Sequence, residues 1–252
     1  MHTRSTPGRV KTEAEMGASI PLAFGDTWTP RGRKPTPGPE AELLDAALAS
    51  YDWEGRAPVV FREPQMPTGF PDVIAVLLRD RNLLFNPARL KLREEHLRLL
   101  HHVHAVQRTS ESRLATSLRL KPAKLSDLLV DLEAAGLIRR ADRRVAARSL
   151  ARAFVARHIV AVEAKIRDWH RAIEQAVANT WFASHSYVLL PEKSWSPALR
   201  DRAIEHGVGV IVYDGQTSSI RLGAEERAIP ASYGSWLVNE WTLRHAGRPA
   251  IE

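Results

Sequence analysis

The chain has 252 residues, a formal net charge of +7, a hydrophobic share of 44% and no cysteine. That length and apolar content suffice for one large domain or two modest ones, while the lack of thiols excludes disulfides, cysteine nucleophiles and thiolate metal sites. The excess of Lys and Arg favours polyanionic partners, because basic groups release counterions from a phosphate backbone, although a merely soluble basic surface has the same charge.

Residues 1–39 read as a flexible basic arm. The stretch from Thr29 to Pro39 is made of Pro, Gly, Thr, Arg and Lys, and cannot bury enough apolar surface to offset its ordering entropy. No apolar run approaches the roughly 20 residues that span a bilayer, and the N-terminus lacks the hydrophobic block of a signal peptide. The expectation is a cytoplasmic protein without membrane attachment. From Glu40, the spacing of Leu43, Leu44, Ala47 and Leu48 predicts an amphipathic helix. Val59-Val60-Phe61 and Val73-Ile74-Ala75-Val76 predict two short strands, with Pro64, Pro67 and Gly69 supplying the turns between them.

Residues 91–150 differ in character. Three helices are predicted: one carrying Leu97, Leu100 and His104, one after the capping candidates Thr109 and Ser110, and one from Pro122 with Leu125, Leu128, Leu129 and Leu132. Gly136 ends the third, and an arginine-rich hairpin follows with Arg139, Arg140, Arg143 and Arg144. Beyond residue 150, strands at Ile159–Ile166, Tyr187–Leu190 and Val208–Tyr213 alternate with helices at Trp169–Trp181 and Pro197–His206. Alternation of this kind marks an α/β unit with crossover helices. The helical block therefore interrupts an α/β domain built from residues 40–90 and 151–252.

Side chains alternate across a strand, so Glu163 and Lys165 share a face opposite Val160, Val162, Ala164 and Ile166. Ionisable groups in an apolar strand are costly to bury without a partner or a metal. Asp72, at the head of another apolar strand, supplies that partner if the two strands adjoin. Two carboxylates and a lysine at a sheet end suit phosphodiester hydrolysis: the acids offer hard oxygen ligands to a divalent cation, and the ammonium faces the developing charge. His96, His101, His102 and His104 share one helix with no acidic ligand pair nearby, and are expected to be partly exposed rather than metal-bound. Trp169 and Trp181 are expected to pack in the core.

The segments Gly69–Val76 and Val160–Lys165 resemble the two halves of the PD-(D/E)XK nuclease signature, over about residues 40–90 and 155–215. The resemblance implies a restriction-endonuclease-like mixed sheet flanked by helices. It makes Asp72 and Glu163 ligands of Mg²⁺, with Mn²⁺ as an alternative, and Lys165 the catalytic lysine. A glutamate on the first helix corresponds to Glu42, with Glu40 equally available. Some relatives carry Gln on the helix after the lysine, which matches Gln175, but the Tyr expected four residues later is Asn179. Asp72 and Glu163 lie 163 − 72 = 91 positions apart, where the family has a short hairpin. The 91–150 block fills that gap and resembles an all-α winged helix of the MarR-like kind.

That second resemblance implies DNA as the partner, a recognition helix from Pro122 to Ala135 and the arginine hairpin as wing. Lys121, Lys124, Arg139, Arg140, Arg143 and Arg144 are the candidate contacts. Asp127, Asp131 and Glu133 on the same helix would repel phosphate, which keeps a protein-interaction module open. A non-catalytic DNA-binding regulator is the other alternative. Restriction, defence and repair all fit such an enzyme, and the resemblance leaves room for a homodimer.

Overall fold

The computed structural model describes residues 30–50, 58–79 and 86–246; residues 1–29 of the basic arm lie outside them. The chain begins with α1 (Pro39–Ser50), β1 (Val59–Arg62) and β2 (Val73–Leu78). An inserted unit follows: α2 (Glu94–Val106), β3 (Arg108–Ser110), α3 (Glu111–Leu118), α4 (Pro122–Ala134), β4 (Ile138–Ala141) and β5 (Arg144–Ala147). After a single turn, α5 (Leu150–Ala153), come β6 (Ala156–Ala164), α6 (Trp169–Asn179), β7 (His185–Pro191) and α7 (Pro197–His206). β8 (Gly209–Tyr213), β9 (Ser218–Leu222) and α8 (Tyr233–Ala246) complete it.

Six strands form one mixed sheet in the order β1-β2-β6-β7-β8-β9. β1, β2 and β6 pair antiparallel, β6, β7 and β8 pair parallel, and β9 closes the edge antiparallel. The parallel half follows from the alternation beyond residue 150, since α6 and α7 are the crossovers that parallel neighbours require. One face packs Val73, Ala75, Val162 and Ala164 against Leu43, Leu44 and Ala47 of α1. On the other, Val188, Leu190, Val210 and Val212 meet Ile173, Ala176, Leu199 and Ala203 of α6 and α7.

The inserted unit is not all-α. β3, β5 and β4 make a three-stranded antiparallel sheet, with β5 in the middle. Asp142 and Arg143 close the β4–β5 hairpin with φ of 49° and 57°, the left-handed pair that a two-residue hairpin turn demands. Its leucines, among them Leu97, Leu100, Leu125, Leu129 and Leu132, belong to the same buried cluster as Phe61, Ile74, Ile159 and Ala161 of the large sheet. α8 joins the two, contributing Trp236, Leu237, Val238 and Trp241 to that cluster.

Polar groups on α8 complete the join. Buried Glu240 pairs with buried Arg89, whose Nη1 also donates to the Ala153 carbonyl at 2.7 Å. Asn239 Oδ1 accepts from the Val155 and Ala156 amides at 2.8 and 3.3 Å. α8 and β9 were not among the predicted elements. Trp236 through Leu243 is buried on every side, polar residues included, so the segment carries no one-faced periodicity to betray a helix. Among the described residues no helix is long and apolar enough to cross a membrane.

Candidate active site

β2 and β6 pair with Val73 opposite Val162. Extending that register by one residue sets Asp72 across from Glu163 on the same face. Asp72 is delivered there by a tight turn: Met66 and Gly69 exchange backbone hydrogen bonds at 2.7 and 3.0 Å, with Gly69 at φ 128°, a value that favours glycine. The Ala164 amide donates to Asp72 Oδ2 at 2.8 Å, tying the two strand ends together.

Lys165 lies just past the end of β6, where its amide donates to the Leu189 carbonyl at 3.0 Å. Its Nζ stands 3.8 Å from Asp72 Oδ2 and 3.3 Å from Glu40 Oε2, and donates to the Ala164 carbonyl at 2.8 Å. The α1 glutamate that reaches Lys165 is therefore Glu40, itself half exposed, and not Glu42. Two residues advance about 200° around a helix, so only one of the pair can face the sheet end.

Burial pushes the Asp72 carboxyl above its ordinary value, against the pull of the Ala164 amide and Lys165. Glu163 is 2% exposed, and burial, followed by the charge of Asp72, pushes its carboxyl up to about 8. Asn179 of α6 opposes this by donating to Glu163 Oε1 at 2.7 Å. Oε2 of Glu163 is buried without a hydrogen-bond partner among the described residues. An orphaned carboxylate oxygen beside a second carboxylate fits a hard cation, which would replace the missing partner. Glu40 is engaged by the Lys165 ammonium at 3.3 Å.

Asn179 was missed as a site residue; its only trace in the sequence was standing where a tyrosine was expected. Arg33 was missed too, because it lies in the arm. Residues 31–33 are in fact strapped to the β1–β2 connection: the Arg31 carbonyl accepts from the Gln65 amide at 2.6 Å, and Gly32 bridges Pro64. This places Arg33 against Glu63 and over the Phe70 ring, 5.5 Å from its centroid. Arg33, Glu40, Arg62, Glu63, Asp72 and Lys165 line a cleft of about 190 Å³.

In the inserted unit the six basic candidates divide. Lys121, Arg139, Arg143 and Arg144 are exposed, and none has an acidic partner among the described residues. Lys124 pairs with Glu95 at 2.7 Å, and Arg140 with Glu111 at 2.8 Å and Glu133 at 3.9 Å. Asp131 pairs with His96 at 3.1 Å. Two of the three acidic residues on α4 are thus occupied within the unit, and Asp127 is exposed. His101 and His104 are partly buried, and burial lowers both below the usual imidazole range. Trp181, expected in the core, is 41% exposed because it follows the last turn of α6. Comparison with protein-family models, with characterised proteins and with solved structures found no match.

Proposed function

We propose that this chain is a metal-dependent deoxyribonuclease in which Asp72, Glu163 and Lys165 hydrolyse phosphodiester bonds and the inserted unit, read as a winged helix, holds DNA. One observation carries the reading. Two acids 91 positions apart in sequence are set across from one another by strand register, with a lysine ammonium 3.8 Å from one of them. Asp72 and Glu163 would hold Mg²⁺, or Mn²⁺ in its place. When bound, such an ion acidifies a water molecule and neutralises charge building on the scissile phosphate.

The remaining work falls to the protein. Asn179 fixes one oxygen of Glu163, leaving the other for the cation. The Ala164 amide orients Asp72 in the same way. Lys165, on release from Glu40, offers a compact positive charge to a phosphate oxygen. The winged-helix reading is supported by the order helix, strand, helix, helix, strand, strand, and by exposed arginines at the hairpin. α4 is then the recognition helix, and Arg139, Arg143, Arg144 and Lys121 are the phosphate contacts.

A second reading, a DNA-binding protein without catalysis, is favoured by the Lys165–Glu40 pair, which engages the lysine. The test is to incubate plasmid, linear duplex and single-stranded DNA with the protein in Mg²⁺, Mn²⁺ or EDTA, beside Lys165→Ala. Cleavage that needs metal and disappears in the variant is the expected result. Binding without cleavage in either metal favours the second reading, and neither binding nor cleavage overturns both.

A further inference from the structure

We propose that His158, His185 and Glu226 form a second metal site, suited to Zn²⁺ and similar ions, on the sheet face opposite Asp72 and Glu163. Among the described residues this is the trio of histidine and acidic side chains whose ligand atoms all lie within 4.8 Å of one another. Its position follows from strand parity. β6 and β7 pair with Val160 beside His185, and Val160 and Val162 face α1, so His158 and His185 do too. The two rings meet edge to face with centroids 5.1 Å apart. Glu163 is five residues further along β6 and of opposite parity, about 17 Å away on the other face.

The surroundings prepare both a histidine and the glutamate. Ser184, 2% exposed, accepts from the Ile159 amide at 3.0 Å, donates to the Ile159 carbonyl at 3.1 Å and lies 3.0 Å from His185 Nδ1. With the hydroxyl proton directed to that carbonyl, Nδ1–H of His185 is the donor to Ser184 and Nε2 keeps its lone pair. This is the support that orients metal-binding histidines. Burial, then the neighbouring His158, holds His185 below the ordinary imidazole range, against the pull of Glu226; the neutral form is the ligating one. The backbone around Glu226 is pinned on both sides: the Glu225 amide donates to Gly207 and the Arg227 amide to Ser184, each at 3.1 Å.

Two imidazoles and one carboxylate, without a thiolate, are a donor set that binds zinc with a fourth position open. Ligand atoms about 2.1 Å from a tetrahedral ion stand roughly 3.4 Å apart, a closure that the exposed side chain of Glu226 can supply. The fourth position faces a cleft of about 330 Å³, which Arg157, Tyr187 and Ser218 also line; water or a small anion would complete the shell.

The test uses the untagged full chain, stripped with EDTA, then equilibrated with Zn²⁺ and passed over a desalting column. Metal content and competition with a chromophoric chelator are read. One retained equivalent is expected, with affinity reduced at least tenfold in His185→Gln and in Glu226→Gln. The Asp72→Asn/Glu163→Gln double variant should keep its zinc, which separates this site from the proposed nuclease centre. Circular dichroism melts check the variants. Because Glu226 is exposed, its variant carries the test should His185→Gln fail to fold. Wild-type protein that retains no zinc overturns the proposal, as does zinc that survives in Glu226→Gln or is lost in the Asp72→Asn/Glu163→Gln variant.

Discussion

The sheet end and the inserted unit both concentrate charge, and they treat it in opposite ways. At the sheet end, acids from separate strands are buried together, and the Lys165 ammonium stands 3.8 Å from Asp72 while Arg33 and Arg62 line the same cleft. In the inserted unit Arg139, Arg143 and Arg144 stay in water, and two of the α4 acids are paired off within the unit. Desolvation makes the first group dependent on what binds there, since an ionised carboxylate without a partner is costly in a dry site. Hydration makes the second group individually weak but collectively suited to a phosphate backbone. Both regions nevertheless hang on one apolar cluster, joined by α8.

The largest expected effect is on chemistry alone. Lys165→Ala and Asp72→Asn should each lower the rate of metal-dependent plasmid nicking by about 10²–10³-fold, while gel-shift affinity for DNA in EDTA stays within a factor of about two. Affinity falling in step with rate would mean that the two regions are not divided as proposed. The next effect sharpens the shared core. Leu129→Ala, at a fully buried position of α4, should cost about 2–5 kcal/mol, and calorimetry should show one transition for wild type and variant alike. Two separate transitions would make the insert an independent domain.

A smaller effect belongs to the exposed arginines. Replacing Arg139, Arg143 and Arg144 together with Ala should weaken DNA binding about 10–100-fold at moderate salt, and flatten the salt dependence by roughly 0.9 for each phosphate left without its cation. Cleavage at saturating DNA should persist. An unchanged salt slope would place the DNA surface elsewhere.

The smallest effect reports on the buried acid. The Glu163 carboxyl ionises near 4.5 when unfolded and about 8 when folded and metal-free. Its favourable contribution is therefore complete below pH 4.5 and is lost as pH rises through about 8. Above that pH, metal-free Glu163→Gln should melt roughly 2–6 °C higher than wild type, with the gap closing toward pH 4.5. Added Mg²⁺ should stabilise wild type more at pH 8 than at pH 6, because the cation competes with the proton. A gap that stays constant with pH would remove the buried-acid account.

Much of this architecture was readable from residue patterns. Short continuous apolar runs at Val59 and Val73, bounded by turn residues, mark strands buried on both faces, and 3.6-period runs at Leu43 and Leu125 mark helices with one buried side. The helix predicted at Pro197–His206 has those bounds in the structure, where Ser196 caps it, Pro197 opens it and Gly207 closes it in the left-handed conformation. The pairing of Asp72 with Glu163 was readable only as a suspicion, drawn from costly residues at the ends of apolar strands.

Other features carried no local signal. Choosing Glu40 over Glu42 required the rotation of α1 about its axis, and the places of Asn179 and Arg33 required knowing which helix packs on β6 and which segment straps the β1–β2 connection. α8 was hidden because it is buried on all sides, and the His158–His185–Glu226 cluster because its members come from two strands and a late loop. Local periodicity, caps and turns thus determined the elements of this protein and the residue types at its sheet end. Which side chains meet, and which carboxylate loses its water, only the packed chain decided, because proximity and desolvation depend on neighbours distant in sequence.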